Sequence, residues 1–142
     1  MIQAGVTVSV PAKVSVNNSG SIYNLGAITV EAGGAFASSG SIISSGTITN
    51  LGTVDNRAGS TIAIDGGTVD NRDGGVIDNN GGVITTESGT VTNYGNIVID
   101  GGAFASSDTI DNNGNITVEG GGAIDNNGGV VISYGNITVE DG

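Results

Sequence analysis

The side chains best equipped for chemistry in this sequence are carboxylates. Asp100, Glu119 and Glu140 recur 19 and 21 residues apart, each three positions after an isoleucine (Ile97, Ile116, Ile137). Any architecture that stacks the chain on itself every ~20 residues turns them into a row spaced by ~4.8 Å. Such a row repels itself. It is either a solvated acidic edge, screened by water and salt, or a set of ligands bridged by a cation. Calcium is the fitting ion, because its ligands are oxygens at ~2.3–2.6 Å. The GGxGxDxUx calcium nonapeptide is missing from the sequence, so the solvated edge is the simpler reading. No metal is firmly assigned, and calcium at the acidic row is the one candidate cofactor. Asp70 and Asp111 hold a related outward position. Paired carboxylates also hydrolyse glycosides, but that chemistry needs long loops to build a cleft and cations to hold an acidic substrate. Lys13, Arg57 and Arg72 are scattered. No catalytic residue is assigned and an enzyme is not expected.

Other side chains offer less. With no His and no Cys, the chain has no imidazole for a catalytic triad, no Cys/His zinc site and no disulfide framework. Asn17, Asn115 and Asn136 open N-x-(S/T) sequons and are candidate glycosylation sites. Thr47, Thr68, Thr90 and Thr109 form one file and Thr49 and Thr92 belong to a second. Flat threonine arrays suit ice binding, but Asp70 and Asp111 break the second file, and Thr is simply a good exposed strand residue. Tyr94 and Tyr134, 40 residues apart, share one edge. Three cationic residues against fourteen acidic ones give a net charge of -11, which disfavours nucleic acid and anionic membrane. No apolar run approaches the ~20 residues of a membrane-crossing helix. The start, Met-Ile-Gln-Ala-Gly, lacks the basic and long apolar regions of a signal peptide.

The elements that position these side chains come from a repeat. Gly contributes 27 of 142 residues, while apolar residues make up 37% and charged ones only 12%, a composition unlike that of disordered chains. Gly33–Ser39 (GGAFASS) returns as Gly101–Ser107, and Gly114–Glu119 (GNITVE) returns as Gly135–Glu140. Beneath these copies runs Gly-x-(Ile/Val/Phe)-x, and taking every third copy sorts the apolar residues into three columns. The first reads Ile22, Ile42, Ile62, Ile84, Phe104, Ile124; the second Val8, Ile28, Ile48, Val69, Val91, Ile110, Val131; the third Val16, Phe36, Val54, Ile77, Ile97, Ile116, Ile137. Polar-apolar-polar neighbours around each anchor predict a short strand with the anchor pointing inward. Gly two residues earlier predicts a corner, through its tolerance of positive φ.

Three strands and three corners per ~20 residues describe one coil of an all-β, triangular parallel β-solenoid. About seven coils follow, or roughly 34 Å of rod, in a single domain over residues 1–142. Asn50, Asn71, Asn93 and Asn112, with Asn18, Asn56 and Asn79 in another column, predict stacked amide ladders at the corners. Helices are disfavoured by the Gly density and the β-branched residues.

The run Ser45-Gly46-Thr47-Ile48-Thr49-Asn50-Leu51-Gly52-Thr53-Val54 resembles the repeat regions of bacterial surface β-solenoids, of the filamentous-haemagglutinin adhesin and autotransporter-passenger type. The resemblance covers nearly the whole chain. It implies a right-handed coil, secretion and a place at the cell surface, and its motif specifies architecture, not a ligand.

A solenoid has two edges of unpaired backbone groups, which soluble examples cap. The sequence opens on alternating Val6, Val8 and Val10, with Pro11 at a corner, and shows no capping helix at either end. Head-to-tail stacking is therefore expected, the contact that yields open filaments. Val6, Val8, Val10, Ile132, Ile137 and Val139 would carry the joint. The leading expectation is a structural subunit of an extracellular homopolymer. The alternative is a surface binding module, an adhesin or phage-fibre segment contacting glycans or host protein, with ice binding third.

Overall fold

Each strand is a four- or five-residue unit in which the second and fourth side chains turn inward and the first and third turn out. Thr47–Asn50 buries Ile48 and Asn50, Thr61–Ile64 buries Ile62 and Ile64, and Asn96–Asp100 buries Ile97 and Ile99. The computed structural model describes residues 1–140 and holds twenty such strands among them. They form three parallel sheets of six, seven and seven strands, and each strand's neighbours lie one coil before and one coil after it. The three apolar columns are the three files of inward anchors. In the first sheet Ile22, Ile42, Ile62, Ile84, Phe104 and Ile124 pair in succession. The second sheet runs from Val8↔Ile28 to Ile110↔Val131 and the third from Val16↔Phe36 to Ile116↔Ile137.

The three files meet in one apolar core along the axis, and each fully covered Ile, Val or Phe contributes ~1.5–3 kcal/mol by leaving water. Coverage fails only at the ends. Ile42, Ile62, Ile84 and Phe104 are buried, whereas Ile22 and Ile124, the first and last of their file, are partly covered. At the lower end the chain does something its period does not predict. Ile2 stands 20 residues before Ile22, yet it pairs with Asn24, donating its N–H to Tyr23 at 2.7 Å and accepting from Leu25 at 2.9 Å. The first residues thus slip two positions along the first sheet, and Ile2 packs against the core as a partial lid.

Glycine's role at the corners also differs from the expectation. The glycines two before each anchor, such as Gly40, Gly46 and Gly67, do not have positive φ. They are required because a β-carbon there would run into the backbone of the coil below; on Gly67 it would lie 2.5 Å from the Gly46 carbonyl oxygen. Positive φ belongs instead to the residue before them in the Gly-Gly corners, as at Gly33 (77°) and Gly66 (75°). Lys13 takes the same left-handed place one coil below Gly33, with φ 65°.

Two substitutions separate these roles. Gly59 has φ +79° and open space around it, so Gly59→Ala should cost only the left-handed penalty of ~1–2 kcal/mol. In Gly46→Ala the new methyl collides with the Gly26 carbonyl on the coil beneath, with no flexible atom to yield. Denaturant unfolding should show a loss of at least ~3 kcal/mol for Gly46→Ala.

Candidate functional site

The interior is closed to ligands. Its axial cavity is about 30 Å³, lined only by apolar side chains such as Ile28, Ile62, Val91 and Phe104, with room for one or two water molecules. The buried polar side chains beside it are bonded to one another. Asn50 donates to Asn71 at 2.9 Å, Asn71 to Asn93 at 2.7 Å, Asn93 to Asn112 at 2.7 Å, and Asn112 to the Ser133 hydroxyl at 3.1 Å. Each Nδ2 also reaches a carbonyl beginning a strand of the next sheet, for example Asn71 to Asn96 at 3.0 Å. Asn56 donates to Asn79 at 2.8 Å and Asn18 to the Ser38 hydroxyl at 3.2 Å. The amide columns are inward ladders that fasten corners, and they present nothing to a ligand.

Recognition chemistry therefore lies on the three outer faces. The second sheet shows the threonines, Thr47, Thr68, Thr90 and Thr109 in register, with Asp70 and Asp111 in the adjacent file. Asp70 accepts from Arg72 Nε at 2.8 Å. On the third sheet Asn115 and Asn136 belong to an exposed amide ladder. Asn115 donates to Asn96 and Asn136 to Asn115, both at 3.0 Å. Asn17, the other sequon residue, is exposed on the lowest strand of the same face. Asp100 and Glu119 are in register, and Glu140 follows one coil on, its N–H bonded to the Val118 carbonyl at 2.8 Å. No three acidic side chains among the described residues gather as a metal centre.

The anchors expected to form a joint divide. Val8, Ile137 and Val139 are exposed at the open ends of the core, and Val6 is exposed at the corner preceding its strand. Val10 is fully buried, because it occupies the second inward position and pairs with Val30. Ile132 faces outward, since strand alternation turns its neighbours Val131 and Ser133 in above Ile110 and Asn112.

Two features escaped the sequence reading. Asp55 and Asp78 stand in register on the third sheet's outer face. Asp55 Oδ2 accepts from Arg57 Nε at 2.8 Å, while its Oδ1 is buried and unbonded. Burial, then the carboxylates of Asp55 and Asp100, holds the Asp78 carboxyl above its ordinary value. The signal was available, since both follow anchors of one column (Val54, Ile77) by one residue. The second feature is an apolar cup at the upper end, walled by Ile116, Val118, Ile124, Val131, Ile137 and Val139.

Parallel coils around a dry core, with all polar variety outside, define a β-solenoid rod. Residues 2–73 and 52–142 match the Haemagglutinin repeat family, between them spanning nearly the whole chain. The chain belongs to the filamentous haemagglutinin repeat family, whose repeats are non-catalytic and occur in secreted and surface adhesins. No curated protein and no solved structure matches the chain.

Asn71→Ala leaves one Asn50 N–H and the Asn93 oxygen without partners in the interior and should cost ~3 kcal/mol or more in unfolding experiments. Asp78 acts in the opposite direction. Its raised pKa means that the folded state holds the proton more tightly than the unfolded chain, so its contribution is greatest in acid and is lost as pH rises above the ordinary aspartate pKa of ~3.9. Asp78→Asn should therefore raise the unfolding midpoint at neutral pH, with the gain vanishing below that pKa.

Proposed function

We propose that this chain is a rod segment of a secreted, surface-exposed adhesin, whose outer faces contact glycans or host-surface protein. The observation that carries the reading is the closed interior. A lumen of about 30 Å³ admits no ligand, so contact with a partner falls to the outward side chains. The family match supports the adhesin class. The exposed sequon residues Asn17, Asn115 and Asn136 are, on this reading, sites where the same faces could be glycosylated. Binding of the purified chain to host cells and to a glycan array tests it. Saturable binding that survives polar substitution of the end residues Val8, Ile137 and Val139 supports the proposal; no binding above an unrelated acidic protein overturns it.

A second reading is favoured by the upper cup. Its walls continue the three anchor files, and the lower end offers the matching members Val8, Val16 and Ile22. A second copy seated there would extend the second and third sheets by one ladder, the lower edge of the first sheet being already paired by Ile2, and cover the apolar walls, making an end-to-end filament, the heterologous contact that does not close. In this arrangement Val6, Val8, Ile137 and Val139 form the joint. Electron micrographs of concentrated protein should then show rods well beyond ~34 Å, the length of about seven stacked coils, and Ile137→Asp with Val139→Asp should return them to single units. A strictly monomeric wild type at high concentration sinks the filament.

A further inference from the structure

We infer that the edge where the second sheet turns into the third binds a neutral, linear β-linked glycan laid along the rod, with Tyr94 and Tyr134 as its stacking platforms. The inference rests on the adhesin reading and gives it a place and a ligand class. The edge is formed by the residue that follows each second-sheet strand. The N–H of that residue bonds to the coil below: Arg72 to the Asn50 carbonyl, Tyr94 to Asn71, Asn113 to Asn93 and Tyr134 to Asn112, all at 2.7–2.9 Å. Arg72, Tyr94, Asn113 and Tyr134 therefore stand in one file, each a ladder step of ~4.8 Å above the last.

All four side chains end in flat groups, two phenol rings alternating with a guanidinium and an amide. The rings are bare, Tyr94 being 54% and Tyr134 81% exposed. The polar pair is held from behind. Asp70 accepts from Arg72 Nε at 2.8 Å, and Asp111 accepts from the Asn113 amide at 3.0 Å. These are the two aspartates that interrupt the threonine file, and each stands two residues before a polar edge group. Thr92 and Ile132, the uncharged members of the same file, stand two residues before the tyrosines. The edge donors are thus oriented before any ligand arrives, which lowers the cost of binding. The bond to Asp70 takes Nε alone and leaves the outer guanidinium nitrogens of the half-exposed Arg72 available to a ligand.

Donor and platform alternate with a period of two ladder spacings, ~10 Å. An extended β-linked glycan advances by about one such spacing per sugar and turns each ring over relative to the last. Its chemical repeat, a disaccharide, therefore covers the same two steps. Alternate sugars lay their C–H faces on Tyr94 and Tyr134, taking apolar surface of both partners out of water. Oxygens of the intervening sugars accept from Arg72 and Asn113. A neutral chain is required, because Asp70 already cancels the charge of Arg72 and the protein carries a net charge of -11.

The test is a titration of the full chain with cello- and chito-oligosaccharides, from dimer to hexamer, followed by NMR. At least one series should move the amide resonances of Tyr94, Asn113 and Tyr134, and bind more tightly with length until the glycan covers the whole file. Tyr94→Ala and Tyr134→Ala should each weaken that binding at least ~10-fold, with unchanged circular dichroism. Tyr23→Ala, which removes a comparably exposed tyrosine from the first sheet, should leave it unaltered. Should no oligosaccharide move these resonances, or should the Tyr94→Ala, Tyr134→Ala double variant bind as the wild type does, the edge site is wrong. Glycan-array or cell binding that persists in the double variant would leave the adhesin reading standing, whereas its absence in the wild type removes that reading too.

Discussion

Successive coils of this protein lie one β-ladder apart, ~4.8 Å, and that short distance governs nearly every residue choice. Side chains so close must tolerate their own kind above and below. Ile on Ile and Val on Val do so by dispersion and shared exclusion of water. Asparagine does so because an amide is donor and acceptor at once, so a column such as Asn50, Asn71, Asn93 and Asn112 satisfies itself as it climbs. The corner glycines obey the same distance more severely. At Gly40, Gly46 and Gly67 the neighbouring backbone occupies the place of a β-carbon.

This explains what could be read from the sequence. Inward files are forced to repeat, so Ile22 to Ile124 and the amide columns announce themselves at a period near twenty. Register followed where two copies of a motif lie one coil apart, as Asn115–Val118 under Asn136–Val139, whereas the two GGAFASS copies fall in different sheets. The reason for the corner glycines is not legible there, because sequence shows that Gly recurs but not whether φ or a neighbour's carbonyl demands it. Ile2 obeys the period in sequence and breaks it in space. It pairs two residues along, with Asn24.

Outward positions have no such obligation, and there the sequence was hardest to interpret. Asp55 and Asp78 share a column with Asn17, Ala37 and Val98, so the file carries no repeating type to mark it. Its meaning emerges only when the partners of each oxygen are known. Ile132 and Val10 illustrate the same boundary. Both look apolar and terminal in sequence, but strand alternation sends one outward and the other into the core.

The division between obligatory interior and free exterior bears on how such a rod can acquire a function. A substitution on an inward file strikes two neighbouring coils at once and is resisted by the whole stack, as expected where stability is a sum of nearest-neighbour terms. A substitution on an outer face strikes little beyond its own strand. Binding chemistry can therefore be rewritten coil by coil without disturbing the scaffold. The threonine face, the exposed Asn96–Asn115–Asn136 ladder and the edge carrying Tyr94 and Tyr134 are three surfaces of different chemistry on the same frame. A surface adhesin repeat needs that separation. Length and stiffness come from the inward files, and the outer faces are left free to differ.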